Sequence, residues 1–369
     1  DSLIYLEKNN TITFTTKFTP DGSKKISTIW TFTGTEGKDW CVLEGGKCRK
    51  SKEGNEIEGE EVTIQFKKVG NYSYDITALY SYGEEEDEEE DELFIERENK
   101  VTVTSYPMFE KFQGLAGAKK YQELVKKASV YKIKPEYGEI PSPNIFLAKG
   151  YFGMFIKEIE DLIVEDPLDE AMYCISEAIE YDYNGIFWRE KVHNDWLNEF
   201  QEYWIKTLVY GNLDENDLDN HRITFIGNEE TKEENTYNAI DACETYSDIS
   251  KFPNSSKLLE AALRYAAKDV ESANEIWKTV IPEIAMLSKE DFIKMSETDR
   301  TVLKKGAMLS STLLTEITST NTKACLILKS IDQYIPKTSK DNADLYFTLY
   351  KDEKFKEFMN DKYKNCIEE

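Results

Sequence analysis

The sequence predicts an α+β multidomain chain, an N-terminal β-sandwich followed by a larger, mostly α-helical domain. Three observations predict it. Apolar and polar residues alternate through much of residues 1–106, the period of half-buried strands. From about residue 108 the apolar spacing changes to that of helix faces. The chain can also bury a core: 40% of its 369 residues are hydrophobic, with 18 Phe, 22 Tyr and 6 Trp, whereas disordered chains are poor in aromatics.

The strands come first. Thr11-Ile12-Thr13-Phe14-Thr15, residues 27–32 and Val62-Thr63-Ile64-Gln65-Phe66 alternate. Residues 72–80 form a long fourth run, and Leu93-Phe94-Ile95 and Val101-Thr102-Val103-Thr104 follow. Pro20-Asp21-Gly22, Gly34, Gly45-Gly46 and Gly70-Asn71 supply turns between them. This number of short strands in about 100 residues predicts a sandwich of immunoglobulin type.

The motifs of these strands carry a resemblance. Ile29-Trp30-Thr31-Phe32 before a Gly-rich loop resembles the early Trp strand of a PKD-like domain. Residues 62–77, where a strand ends at Gly70 and restarts as Tyr72-Ser73-Tyr74, resemble the same family's late hairpin. Val101-Thr102-Val103-Thr104 resembles its closing strand. The match covers roughly residues 8–105. The family's Asp/Gly-rich turn is replaced here by Gly34-Thr35-Glu36-Gly37 and a Cys41/Cys48 loop. The resemblance implies a binding, spacing or assembly module of extracellular or surface proteins, without catalysis of its own.

Residues 84–92 are nine consecutive acids, which repel and are expected to form a solvated loop. Their oxygens could collect adventitious Ca²⁺; no other cofactor is expected. The helical region, residues 107–369, carries a candidate division near 212–252. Helices are expected over 118–131, 144–165, 167–183, 194–210, 254–281, 299–318, 321–334 and 341–364, with a short strand at 223–226. Asp166 before Pro167 has the pattern of an N-cap. Ser288/Asp291 and Ser296/Asp299 have the spacing of capping boxes. Trp196, Phe200 and Trp204 share one helix face.

The chain starts at Asp1 with no charged-then-apolar leader, as expected of a mature or trimmed chain whose signal peptide has been removed. Cys41 and Cys48 are a candidate disulfide, because Gly45-Gly46 can turn a hairpin between them. Asn9, Asn71 and Asn254 head candidate N-glycosylation sequons. Together these point to an oxidising, extracellular or cell-surface setting, against the alternative of buried, reduced cysteines acting as small hydrophobes.

The chemistry of catalysis is hard to assemble. Only His193 and His221 are present, and Glu190/His193 has no second Glu-x-x-His to complete a di-iron set. His193 is expected at a surface or between helices. Residues 214–220 are rich in Ca²⁺-type ligands, but Leu218 and Asp219 break the EF-hand pattern. No phosphate-binding loop, dinucleotide fingerprint or nucleophile elbow is present. The net charge of −25 opposes nucleic-acid binding, and no apolar run is long enough for membrane insertion.

The expected function is therefore a non-catalytic extracellular surface or structural assembly protein, a subunit meeting other protein subunits in a homo- or hetero-assembly. Exposed tyrosines such as Tyr80 and Tyr82 are candidate anchors. The alternatives are a virion structural protein (capsid-decorating or tail subunit) and a glycan-binding protein or unfamiliar enzyme using the helical domain.

Overall fold

A computed structural model describes residues 2–16, 23–51, 55–82, 99–161, 164–182, 185, 190–317, 322–334 and 353–360. The acid run at 84–92 with its Ca²⁺ option, the strand expected at 93–95 and most of the helix expected at 341–364 lie outside them. The chain divides into two compact units, Asp1–Ile186 and Phe187–Glu369. The division falls well beyond the change from strand to helix, so the strands share a unit with the first helices.

The strands are β1 Ser2–Tyr5, β2 Thr11–Thr15, β3 Ser23–Phe32, β4 Trp40–Glu44, β5 Lys47–Cys48, β6 Glu56–Glu58, β7 Glu61–Phe66, β8 Gly70–Tyr82 and β9 Asn99–Thr104. They form two sheets, ordered β1-β9-β8-β3-β6 and β2-β7-β4-β5. β1 runs parallel to β9, with Ser2 opposite Val101 and Tyr5 opposite Thr104. The other described pairs are antiparallel.

Alternate residues of a strand point to one face, and the sequence uses this to fill one core. Val62, Ile64 and Phe66 of β7 are buried, while Glu61, Thr63 and Gln65 are not. They join Phe14, Trp30, Phe32, Trp40 and Val103 in a single cluster drawn from both sheets. Each indole has its polar end satisfied, as burial requires. Trp30 Nε1 donates to the Gly59 carbonyl at 2.7 Å and Trp40 Nε1 to the Thr33 carbonyl at 2.9 Å. The buried Tyr72 hydroxyl donates back across the β7–β8 turn to the Lys68 carbonyl at 3.1 Å. Gly34 turns the chain out of β3 at φ 87°, and a side chain there would strike Tyr72 and Trp40.

Helices α1 Leu6–Asn9, α2 Tyr106–Gly117, α3 Tyr121–Lys132, α4 Pro141–Ile156 and α5 Pro167–Glu180 complete the first unit. α4 departs from the expected amphipathic helix at 144–165. Thirteen of its sixteen residues are buried, because α2, α3 and α5 all pack against it. It starts at Pro141 rather than after the prolines, since the first turn needs no intrahelical N–H bonds. α5 follows its sequence signature: Asp166 Oδ1 accepts from the Leu168 N–H at 2.9 Å and the Asp169 N–H at 3.2 Å. Strands and helices are stitched together where Glu7 accepts from the Tyr106 N–H at 2.9 Å and Asn71 donates to the Glu139 carbonyl.

The second unit holds α6 Lys191–Tyr203, α7 Glu215–Asp219, α8 Lys232–Thr245, α9 Asn254–Ala266, α10 Val270–Met286, α11 Lys289–Lys294, α12 Glu297–Ile317, α13 Thr322–Tyr334 and α14 Glu353–Phe358. The single helix expected over 194–210 is α6 followed by a π-helical turn, Trp204–Val209. The wider turn moves the buried face on, so Ile205 and Val209 go inward and Thr207 is exposed. The helix expected over 254–281 is two helices. Lys268 adopts φ 73° between them, and Asp269 caps α10 by accepting from the Ser272 N–H at 3.3 Å. Pro282 lies inside α10 rather than ending it. The stretch at 214–220, whose Ca²⁺-type ligands fail the EF-hand pattern, folds as α7, capped by Asp214. The strand expected at 223–226 is reduced to an isolated bridge, Leu213 to Phe225. Trp277, Phe292, Leu258 and Ile327 centre the core. No described helix is long and apolar enough to cross a membrane.

Candidate functional site

The edge of the second sheet is the first candidate. Among the described residues, β2 is its terminal strand and pairs only with β7. The ladder fixes which backbone groups point where. Phe66 donates to the Asn10 carbonyl at 2.8 Å and Thr16 to the Glu60 carbonyl at 3.0 Å. With Thr11 opposite Gln65 and Thr15 opposite Glu61, the hydrogen-bonded positions are Asn10, Ile12, Phe14 and Thr16. The N–H and C=O groups of Thr11, Thr13 and Thr15 therefore point away from the sheet. Their side chains are exposed, while Phe14 anchors the strand in the core. Thr13 Oγ1 lies 2.9 Å from Thr63 Oγ1, a cross-strand hydroxyl pair.

The other three edges are blunted. β5 has two residues and is tied down by a disulfide. β6 has three, and both of its exposed positions, Glu56 and Glu58, carry charge. β1 has four, and the chain turns directly from it into α1. Short strands and edge charges are ways to prevent sheet-to-sheet pairing. β2 has five residues, all Thr, Ile or Phe, with no charge and no proline.

The predicted Cys41–Cys48 bond is present, with the Cα atoms 5.5 Å apart. Gly45 and Gly46 adopt φ 60° and 79° and turn the β4–β5 hairpin, the two-residue type I′ geometry. Next to it Arg49 makes a two-pronged pair with the buried Glu36 carboxylate, at 2.8 and 3.1 Å. Cys325 is also disulfide-bonded. Cys174 and Cys243 are free and buried; burial pushes the Cys174 thiol up to about 12. The expected Cys41–Cys48 pair is thus present, and the alternative of four or more reduced cysteines gives way to two, Cys174 and Cys243, which pack as small buried side chains.

The three sequon asparagines sit differently. Asn9 is exposed at the end of α1, and its Oδ1 accepts from the Tyr5 N–H at 3.0 Å. Asn71 is half-buried, with its amide shared between Glu139 and the Thr102 hydroxyl. Asn254 opens α9 and donates to Glu283 at 2.7 Å. His193 is buried in α6, and His221 lies beyond α7 at φ 59°. Among the described residues, no group of three or more His, Cys, Asp or Glu side chains is arranged to hold a metal ion. The Trp196, Phe200 and Trp204 rings follow one another at 5.8 Å, tilted by 31° and 33°; Phe200 and Trp204 are buried, Trp204 donating to the Ala242 carbonyl at 2.8 Å, and Trp196 is half-buried. Tyr80, expected to be exposed, is buried, and the Tyr82 side chain lies outside the described residues.

One buried carboxyl escaped the sequence reading. Asp299 Oδ1 accepts hydroxyls from Ser250 at 2.7 Å, Tyr246 at 2.9 Å and Ser255 at 3.1 Å. Burial raises its pKa, while these donors oppose the rise. Sequence spacing marked Asp299 only as a capping residue, and its N–H does bond Ser296 Oγ at 2.9 Å. The hydroxyls come from segments far away in the chain, so no local signal could reveal them.

The chain matches no protein-family model, and no curated protein and no solved structure matches it.

Proposed function

We propose that this chain is a non-catalytic extracellular surface or structural assembly protein, and that it self-associates through β2. The open, uncharged edge of β2 carries this reading. An antiparallel copy centred on Thr13 sets Thr11 opposite Thr15 and Thr13 opposite its own counterpart. Outward N–H and C=O groups then meet their complements, and no like charges are opposed. The two four-stranded sheets become one continuous sheet across a two-fold axis, the commonest closed symmetry.

The strand order supports a PKD-like or immunoglobulin-like module. A first strand parallel to the last, a buried Trp30 on the third strand and the Tyr72 hydroxyl bonded back to Lys68 all belong to that architecture. The disulfides at Cys41, Cys48 and Cys325 favour an oxidising compartment.

The test is sedimentation of the full chain over a concentration series up to high micromolar. Dimer is expected for the wild type. Thr13→Pro removes an outward N–H and the exposed hydroxyl pair with Thr63 but no ladder bond, so the fold survives and the dimer is lost. Thr13→Lys sets two like charges face to face at the axis and gives the same result. A wild type that stays monomeric throughout, or a dimer that survives both substitutions, refutes the proposal.

A further inference from the structure

A cleft of about 620 Å³ opens in the second unit, walled by the π-helical turn with Tyr210, by α7 and His221, by α12 and by α14. Its size falls within the range of small-molecule sites. Its charge is what sets it apart. Four of its fourteen lining residues are lysines, Lys206, Lys304, Lys305 and Lys354, against two acids, Glu215 and Asp219. In the chain as a whole, 71 acidic residues outnumber 46 basic ones. The cleft reverses that balance with residues from three separate elements.

Two backbone features frame the same cleft. The π-helical turn Trp204–Val209 holds Lys206 in the wall; such turns recur at functional sites. His221 is held at φ 59°, a conformation that is unfavourable outside glycine and that persists where surrounding structure enforces it. The carbonyl three residues earlier, Leu218, accepts from Lys305 Nζ, which ties α7 to α12.

The lysine pairings leave room for an anion. Lys354 contacts Asp219 at 2.7 Å, with side chains 69% and 56% exposed. Lys206 pairs with Glu202, again with both side chains more than half exposed. Exposed pairs of this kind contribute little, so a ligand phosphate can replace either carboxylate at small cost. Behind the rim the surface is apolar: Leu218 and Phe355 are buried, and Met308 lies beside them. Lys304 Nζ stands 5.9 Å from the Phe355 ring centre. Ammonium groups around an apolar floor suit a ligand with several negative charges and a flat apolar body.

We propose that this cleft binds a phosphorylated organic anion of nucleoside-diphosphate size. Phosphate oxygens meet Lys206, Lys304 and Lys354, and the body lies against Leu218, Met308 and Phe355. Lys305 serves the wall rather than the ligand. This inference is independent of pairing at β2.

The experiment is calorimetric titration of the full chain with ADP, in parallel with pyrophosphate and with adenosine. Saturable one-to-one binding of ADP is expected, weakening as salt is raised. Pyrophosphate and adenosine each lack one half of the recognition and are expected to bind at least about tenfold more weakly. Lys206→Glu combined with Lys304→Glu abolishes ADP binding while the circular dichroism spectrum and melting temperature stay unchanged. Lys304→Ala alone weakens it by about tenfold. No saturable ADP binding by the wild type, or binding that the double substitution leaves intact, overturns the proposal. Pyrophosphate binding as tight as ADP overturns the role given to the apolar floor.

Discussion

Gly306→Ala should destabilise the second unit although alanine is the better helix former. Gly306 lies in α12, where it meets α9. A Cβ built there stands 2.6 Å from the Leu259 amide nitrogen, 3.0 Å from Leu258 Cβ and 3.1 Å from the Leu258 carbonyl carbon. Two of these atoms are backbone, so no side chain can swing aside, and α9 and α12 must separate by several tenths of an ångström. One turn further on, Ser310 Oγ donates to the Leu258 carbonyl at 2.6 Å and accepts from Trp277 Nε1 at 2.8 Å. Separation stretches both bonds. Replacing glycine gains about 1 kcal/mol of helix propensity. Overpacking costs about 1–3 kcal/mol, and a weakened buried hydrogen bond adds about 1 kcal/mol. The expected net loss is about 1–3 kcal/mol, read as a fall of roughly 3–9 °C in the melting temperature of that unit. Gly114→Ala in α2 is the control, because nothing lies within 4 Å of its Cβ; it should stabilise slightly. Amide exchange in α9, followed beside the thermal melt, localises the effect. A Gly306→Ala protein as stable as the wild type would mean that the two helices are not held in close contact.

Two further outcomes follow from the interior and from the hairpin. Asp299 has a folded pKa raised by burial, so its contribution is present below the ordinary Asp range and is lost as pH rises through the folded value. The stability of Asp299→Asn relative to wild type should therefore improve between about pH 3 and pH 7, measured by urea unfolding at each pH; a flat difference contradicts the raised pKa. Replacing Cys41 and Cys48 with serine opens a loop of sequence separation 7 and should cost about 2 kcal/mol, seen as earlier denaturation of the first unit with β2–β7 pairing intact.

Strand positions were legible because period-2 patterns are local. Val62, Ile64 and Phe66 point inward as their alternation predicts, and the Gly45-Gly46 hairpin follows from turn chemistry alone. Which strand ends a sheet was not legible. It depends on β1 pairing with β9 in the other sheet, nearly a hundred residues away, which leaves β2, among the described residues, with β7 as its neighbour. Helix breaks were misread where the competing signal was conformational. Lys268 at φ 73° carries no glycine to mark it, and α4 hides its start behind Pro141 and Pro143. The lysine cleft was invisible for another reason: in a chain of net charge −25, scattered lysines look like ordinary solvated surface until the fold gathers them.

The anchoring of β2 bears on how an edge of only five residues could hold a partner. A strand that must order before pairing loses conformational entropy on docking, about 1–2 kcal/mol per residue fixed. β2 has already met that cost. The Phe14 ring lies 4.7 Å from Tyr74, 5.4 Å from Phe32 and 5.8 Å from Trp30, so the strand's middle is fixed by three aromatic neighbours in the core, which leaves its edge groups uncovered by them. Asn10 adds a side-chain bond to the Phe66 carbonyl at 3.1 Å. The buried Phe14 thus holds rigid the strand whose alternate residues, Thr11, Thr13 and Thr15, present a row of donors and acceptors along the edge. Asn9, exposed at the end of α1, stands two positions before Thr11, so a glycan there would attach close to the start of that row. If β2 pairs as proposed, a glycan at Asn9 is expected to weaken the dimer, measured as sedimentation before and after deglycosylation; a dimer of equal strength in both states would contradict this.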